Sequence, residues 1–225
     1  MHTKRISIGK GKKPKWITTP RPGRHKRNES ITLREIVRDI LHFADTAREA
    51  DILITNGNIL VDKKPRKDPR FAVGLMDIIE IPKIGKFYRV LPNKKGLYLR
   101  EIDKNEANLK PCKITKKVVI SKEKMQIGFH DSTTILINNE EGKKFKIKDT
   151  VVFELPDMKI HSLLNLKKGN IGLVTHGVHA GYISEISEIT ESTQMKRSIT
   201  KIGEIQTLTD YIFVIGEKKP LISIE

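Results

Sequence analysis

Hydrophobic residues in the first third of the chain recur at the three-and-four spacing that places side chains on one face of a helix. Residues 31–44 carry the clearest such face, and Thr32 with Glu35 forms a capping-box pair near its start. The apolar positions are Leu33, Ile36, Val37, Ile40, Leu41 and Ala44. A second helix is predicted from Thr46, which pairs with Glu49 in the same way. We expect the two helices to pack against each other.

After Gly57, which ends the second helix, the pattern changes to the short alternations of β-strands. Ile59 and Val61 indicate one strand and residues 78–81 another, with a turn between them. Further strands are predicted at 87–91, 96–102, 113–122, 125–129 and 133–139, with a short helix at 104–108. The last third predicts strands at 171–175, from Tyr182, at 199–202, at 211–215 and at the C-terminus. Strands this short and evenly spaced are typical of small barrels.

Charge narrows the class of partner. The 225 residues include 43 Lys and Arg against 27 Asp and Glu, a formal net charge of +16 that favours nucleic acid or another polyanion. No apolar run approaches a membrane span and no signal peptide is recognisable, so we expect a cytoplasmic protein with no membrane partner. Cys112 is the only cysteine, which excludes an intrachain disulfide and a cysteine-based zinc site. We expect it to be a small core residue.

The first 28 residues carry ten cations and no acidic residue. With few large apolar side chains, this basic extension is predicted to be disordered when free and to fold against a polyanion. Trp16 has two interpretations, stacking on a base or docking on the neighbouring domain.

A second concentration of positive charge follows the first predicted strand. The five cations of this basic loop are Lys63, Lys64, Arg66, Lys67 and Arg70. Together with Arg48 at a helix start they suit phosphate contact, although a merely solvated turn is the alternative. Arg34 and Arg38 form a stripe on the first helix that either faces RNA or is neutralised by Glu35 and Asp39.

The helix, hairpin and basic loop together resemble the S4 RNA-binding domain. The matching positions are Thr46, Arg48 and Ala50, then Gly57, Ile59, Val61, Asp62 and Lys63, then Gly74, Asp77 and Ile79. Near the C-terminus, four glycines at 169, 172, 177 and 181 resemble the KOW motif, a strand-loop-strand unit of ribosomal proteins and elongation factors. GFHD at 128–131 is predicted to be a turn rather than a metal or acid-base pair, and His176 and His179 to be loop residues rather than metal ligands.

The order of these features resembles one family, the archaeal and eukaryotic ribosomal protein S4e. The matching stretches are PRPGRHKRNESITLREIVRDIL, VGLMDIIEIPKIGKFYRVL, LKPCKITKK, GFHD, and the end from KKGNIGLVTHG to YIFVIG. The resemblance implies a structural component of the small ribosomal subunit, located on cytoplasmic ribosomes. Its implied partners are ribosomal RNA and neighbouring small-subunit proteins. No catalytic activity, cofactor, metal or small-molecule substrate is implied.

The implied fold class is α+β, mostly β, with a small two-helix and hairpin S4-like domain followed by two small β-barrel-like domains. The expected boundaries are 1–30 for the basic extension, 31–82 for the S4-like domain, 83–160 for a central β domain and 161–225 for a KOW-type barrel. The expected RNA contacts are Lys10, Lys12, Lys13, Lys15, Arg21, Arg24, Lys26, Arg27, Arg34, Arg38, Thr46, Arg48, Lys63, Lys64, Arg66, Lys67, Arg70, Lys167, Lys168 and His176. A KOW-type transcription elongation factor and an accessory to an RNA-modifying enzyme are the alternatives.

Overall fold

The computed structural model describes residues 17–192 and 197–223. The chain forms two compact units. The first runs to Lys110 and also includes Glu154–Met158, and the second takes Pro111–Phe153 and the chain from Lys159 onward. Most of the regular structure is strand, which confirms the predicted α+β, mostly β class. Within the described ranges, no helix is long and apolar enough to cross a bilayer.

Two short helical segments begin the first unit. Helix α1 (Leu33–Glu35) continues as a π-helical turn over Ile36–Ile40, and α2 spans Ala47–Thr55. Both predicted capping boxes are confirmed, since each N-cap threonine bonds the backbone N–H of a glutamate whose side chain bonds back. The predicted end of α2 is confirmed by Gly57, whose φ of 75° is left-handed.

The first helix is shorter at both ends than its hydrophobic pattern predicts. Strand β1 (Ile31–Thr32) pairs antiparallel with β4 (Ala72–Val73), because the capping threonine requires extended backbone before the helix. At the other end, His42 takes a φ of 53°, which is outside the helical range. The predicted apolar face nevertheless packs inward and contributes to the core of the unit.

A five-stranded antiparallel sheet completes this unit. In spatial order its strands are β3 (Lys64–Pro65), β2 (Leu60–Val61), β5 (Ile78–Ile81), β6 (Lys86–Asn93) and β7 (Gly96–Ile102). Strands β2 and β3 are joined by the two residues Asp62 and Lys63, both with positive φ, as a primed hairpin turn requires. The basic loop therefore begins in a tight turn and continues along β3.

A second five-stranded sheet lies mostly in the other unit. In spatial order its strands are β10 (Thr134–Asn138), β9 (Lys124–Phe129), β8 (Leu109–Val119), β11 (Thr150–Glu154) and β12 (Lys159–Leu164). A one-turn helix, α3 (Asn139–Gly142), follows β10 directly. The three strands predicted between 113 and 139 are confirmed as β8, β9 and β10, whereas β11 and β12 were not predicted.

The third sheet is antiparallel throughout. In spatial order its strands are β16 (Ile205–Leu208), β15 (Ile199–Ile202), β14 (Ile183–Thr190), β13 (Ile171–Val174) and β17 (Ile212–Gly216). Gly172 allows close packing, because an added Cβ would lie 3.1 Å from Ile202 Cδ1. Strand β16 was not predicted. The prediction of a C-terminal strand is wrong for residues up to 223. A single β-bridge joins Gly216 to Pro220 there, and proline has no N–H with which to extend a ladder.

Candidate nucleic-acid interface

A buried ionic cluster lies at the centre of the first unit. The Nζ atom of Lys110 is 2.7 Å from Asp62 Oδ2 and 2.6 Å from Asp77 Oδ1, and the Lys110 side chain is fully buried. Asp62 comes from the hairpin turn and Asp77 from the residue before β5. Burying a charged group costs several kcal/mol of free energy, and close pairing with an opposite charge offsets about that much. Each of the three groups therefore needs the other two to be stable in the interior.

Residues of the basic extension complete this cluster. Arg24 donates to Asp62 Oδ2, and His25 Nε2 lies 2.7 Å from Asp77 Oδ2. The His25 ring packs so closely on Gly74 that an added Cβ would lie 2.4 Å from the ring. Gly74 also donates its backbone N–H to Asp77 Oδ2 at 3.0 Å. The cluster therefore ties the extension to the hairpin and to the start of β5.

The electrostatics of the cluster keep Asp77 ionised. Burial alone would raise the pKa of Asp77, but the positive charges of His25, Lys110 and Arg24 hold that pKa well below its usual range. Asp62 accepts a further hydrogen bond from the backbone N–H of Ile78 at 3.1 Å. The carboxyl groups of Asp62 and Asp77 are thus both matched by basic side chains from separate parts of the chain.

Residues 17–30 are consequently held against the first unit, although the extension was expected to be disordered. The backbone N–H of Arg21 donates to the carbonyl oxygen of Arg70 at 3.0 Å, and Ser30 is buried. The reason for the difference is that the aspartates of the chain itself supply the negative charge. The expected contacts at Lys10, Lys12, Lys13 and Lys15, and the side chain of Trp16, lie outside the described residues.

Seven of the expected RNA contacts are exposed and make no ion pair within residues 17–192 and 197–223. They are Arg27, Arg48, Lys64, Lys67 and Arg70 in the first unit, and Lys167 and Lys168 in the second. Arg70 lies beside the extension through its carbonyl oxygen, and Lys67 passes Gly57 at the end of α2. The first unit thus brings exposed cations from three parts of the sequence onto one small body.

Six other expected contacts already have an acidic partner. The pairs are Arg21 with Asp68, Arg24 with Asp62, Lys26 with Glu29, Arg34 with Asp51, Arg38 with Asp39, and Lys63 with Glu80. The Arg34 pair is bidentate, at 2.7 and 2.6 Å, and joins α1 to α2. Of the two interpretations of the arginine stripe, these contacts favour neutralisation, by Asp39 for Arg38 and by Asp51, which was not predicted, for Arg34.

Three expected contacts have mainly local roles. The Arg66 guanidinium lies 4.6 Å from the centroid of the Phe71 ring, and Thr46 caps α2. His176 Nδ1 lies 2.8 Å from Thr175 Oγ1, and its ring is 5.5 Å from that of Tyr211. Gly177 and Gly181, in the loop between β13 and β14, both have positive φ. This strand-loop-strand geometry is as expected for a KOW motif, whose presence stays a prediction.

The GFHD segment forms the predicted turn. Asp131 Oδ1 accepts the backbone N–H of Thr133, and His130 Nδ1 accepts that of Lys113. Cys112, His130 and Asp131 bring their potential ligand atoms within 4.8 Å of one another, but Asp131 is bonded within the turn and His130 accepts from Lys113 on β8. The buried thiol of Cys112 lies 4.0 Å from Asp131 Oδ2, consistent with its predicted place in the core.

Comparison with known proteins identifies the family. The model of the ribosomal family S4e matches residues 84–160, and the S4 domain model matches 36–79. The small ribosomal subunit protein eS4 of Methanothermobacter thermautotrophicus is 40% identical, over 95% of this chain and 89% of that protein. The homologue in Archaeoglobus fulgidus is 39% identical, over 100% and 98%. The crystal structure of the 30S ribosomal protein S4e from Thermoplasma acidophilum superposes with a TM-score of 0.76 at 34% identity, covering 86% of this chain and 99% of that one. This chain belongs to the S4e family of ribosomal proteins.

Proposed function

We propose that the protein is a structural constituent of the small ribosomal subunit and that its first unit binds ribosomal RNA. The observation that carries the proposal is the set of exposed cations on an S4-type unit, held in place by the buried Lys110 cluster. Membership of a ribosomal protein family supports a structural role rather than an enzymatic one. Its partners are ribosomal RNA and neighbouring small-subunit proteins, on ribosomes in the cytoplasm.

The mechanism is anchoring by shape and charge. Exposed lysines and arginines neutralise phosphates and release condensed counterions, which makes binding depend steeply on salt. The ordered extension and the basic loop present those charges in a preset arrangement, so that little conformational entropy is lost on binding. Because side chains cannot read the deep major groove of an RNA helix, recognition rests on the shape of the RNA backbone.

The second unit has a more limited part in this proposal. Its exposed Lys167 and Lys168 precede β13, and His176 lies in the loop that follows β13. We assign these three residues to secondary RNA contacts, in addition to the main anchor on the first unit. The boundaries 31–82, 83–160 and 161–225 for three successive domains stay a prediction. Three five-stranded sheets agree with the number of domains, but the first sheet continues past residue 82 to β7, and β12 crosses residue 160.

Sedimentation tests the proposal. The native protein is followed through a sucrose gradient of cell lysate in moderate salt and again after a high-salt wash. Stoichiometric migration with the small subunit, and release only at high salt, is the expected result. A protein that stays at the top of the gradient contradicts the proposal and directs attention to RNA polymerase, the partner expected of an elongation factor.

A further inference from the structure

Among the residues that the structure describes, strand β10 forms an open edge of the second sheet, with β9 as its one neighbour in the sheet order. Flanking hydrogen bonds fix which backbone groups face outward. Phe129 donates to Thr133 O, and Asn139 donates to Glu123 O, each at 2.9 Å. Because hydrogen-bonded and non-bonded pairs alternate in an antiparallel ladder, Thr134 and Leu136 direct their N–H and C=O groups away from β9.

This edge lacks the protection that exposed strands usually carry. Natural edges are blunted by lysine, proline or a very short strand. Strand β3 contains Lys64 and Pro65, and β12 contains Lys159. Strand β10 has the sequence TILIN, without charge or proline, and Leu136 is 63% exposed.

The surface beside the edge is also partly apolar. Leu136 on β10, Gln126 on β9 and Val118 on β8 are aligned across the sheet, and both Leu136 and Val118 are exposed. An apolar side chain of an added strand would find contacts here, in addition to the main-chain hydrogen bonds of the edge. An RNA backbone has no apolar side chains that could pack on Leu136 and Val118.

The local charge indicates the chemistry of the partner. In a chain of net charge +16, residues 125–142 contain no lysine or arginine, although Lys122 and Lys124 precede this stretch and Lys143 and Lys144 follow it. The exposed carboxylates Glu140 and Glu141 lie in α3, at the end of the open strand. On the same face, Lys116 and Lys124 belong to the inner strands β8 and β9. The two carboxylates that directly follow the strand favour a positively charged polypeptide over phosphate at this end of the edge.

We propose that β10 is a docking site for an extended, basic segment of a neighbouring ribosomal protein, which adds to the sheet as a further strand. This inference rests on the proposed function, because the partner is another component of the same subunit. The added strand pairs with the outward groups of Thr134 and Leu136, places an apolar side chain beside Leu136, and directs lysine or arginine side chains toward Glu140 and Glu141.

Site-specific cross-linking in assembled subunits tests the inference. Leu136 is replaced by photoreactive p-benzoylphenylalanine, and small subunits that contain the protein are purified, irradiated and digested. The expected product joins position 136 to a peptide of another ribosomal protein that is rich in lysine or arginine. Cross-links to ribosomal RNA, to a second copy of this chain, or to nothing overturn the inference, whereas failure to enter the subunit overturns the proposed function instead.

A measurement on the isolated full-length protein tests the edge independently of assembly. An acetylated seven-residue peptide of alternating lysine and valine is titrated while amide resonances are followed by NMR. The largest shifts are expected at Thr134 and Leu136, and a peptide with glutamate in place of lysine is expected to bind more weakly. Equal effects of the two peptides, or no shift at β10, would count against the inference.

Two variants distinguish the contribution of the backbone hydrogen bonds at the edge from that of the Leu136 side chain. Leu136→Pro removes an outward N–H without removing a bond to β9, so peptide binding is expected to weaken about fivefold. Leu136→Thr keeps that N–H and removes apolar surface, so it is expected to leave the main-chain contribution in place. Both variants are checked for an unchanged thermal transition, and a proline variant that folds and binds as the wild type does would overturn strand addition.

Discussion

At the scale of single residues, the first unit depends on a lysine that has no contact with solvent. Lys110 lies between two aspartates, and none of the three side chains is more than 4% exposed. Such a group is stabilising only while its partners remain, because removing one leaves an uncompensated charge in the interior. The surface proposed to bind RNA therefore depends on buried residues that are not part of it.

Replacing this lysine tests its structural role. Lys110→Met keeps the volume of the side chain and leaves Asp62 and Asp77 short of a positive charge, so the free energy of unfolding is expected to fall by about 3–5 kcal/mol. Denaturant titration of the variant measures the change. Lys104→Met, at an exposed position, is the matched control and is expected to change stability by less than about 0.5 kcal/mol. A small effect at Lys110 would show that the cluster is not stabilising.

The pH dependence of stability tests the ionisation of Asp77. Its folded-state pKa lies well below the usual value near 4, because its basic partners outweigh burial. A depressed carboxylate pKa contributes stability that is present above the unfolded-state pKa and is lost as pH falls through the folded-state pKa. Asp77→Asn is therefore expected to be less stable than the wild type at pH 7, with a difference that shrinks below about pH 4.

Denaturant titrations of both proteins between pH 7 and pH 3 measure that difference. Asp103→Asn, at an exposed position, is the control and is expected to show a nearly constant difference. A difference between Asp77→Asn and the wild type that does not change with pH would contradict the assignment of a charged Asp77.

Individual residues of the cluster were only partly predictable. Asp62 and Asp77 stand at positions of the S4 resemblance, but their role as partners of one buried lysine was not predicted. His25 and Lys110 lie 52 and 33 residues from Asp77 along the chain, and no local pattern links positions so far apart. Arg24 was expected to contact RNA, which stays a prediction, and its ion pair with Asp62 was not predicted.

At the scale of elements, the confirmed predictions of helix ends depend on interactions within about one turn of backbone. Both capping boxes and the end of α2 at Gly57 follow from side chain to backbone bonds that lie within a few residues. The first helix was predicted too long because its apolar spacing continues into β1, where pairing with β4 prevails. Strands β11, β12 and β16 were missed, since their pairing partners are set by the whole sheet.

The basic loop is the element whose role is most directly testable. The triple variant Lys64→Ala, Lys67→Ala and Arg70→Ala removes three exposed cations that have no acidic partner in the described structure. Its affinity for small-subunit RNA is expected to fall, and the slope of log affinity against log salt to decrease by about 2–3. Lys63 and Arg66 are left in place because each contacts an aromatic ring. Replacing them would change the stability of the fold as well as RNA binding.

A matched variant distinguishes the effect of the basic loop from the effect of the protein's net charge. Lys143→Ala, Lys144→Ala and Lys146→Ala remove the same charge from exposed positions of the second unit. Fluorescence anisotropy across a salt series is expected to show a smaller change in slope for this control. Equal slopes for the two triple variants would mean that the loop acts only through the overall charge of the protein.

At the scale of the whole molecule, the proposed function links folding to RNA binding through residues 17–30. Composition alone could not predict that residues 17–30 are held in place, because the compensating anions come from Asp62 and Asp77. The mostly β class and the S4e family were both predictable, since they depend on patterns that cover nearly the whole chain.

Release of the extension is expected to weaken RNA binding without removing an exposed cation. His25→Ala removes a buried ring that contacts Asp77 and packs on Gly74. Tryptic cleavage after Lys26 and Arg27 is expected to accelerate several-fold, and RNA affinity to fall. Arg27→Ala is the comparison, in which residues 17–30 are expected to stay in place while one proposed phosphate contact is lost. Wild-type cleavage rates in His25→Ala would contradict anchoring through this histidine.

The measurement that tests the central claim most directly is protein–RNA cross-linking in native small subunits. Ultraviolet irradiation followed by nuclease and protease digestion identifies the peptides that carry a nucleotide. Peptides covering residues 17–30 and 64–70 are expected to be the main cross-linked species, with weaker products around 167–176. Cross-links confined to the second unit, or their absence from a protein that does sediment with the subunit, would contradict an RNA anchor built on the first unit.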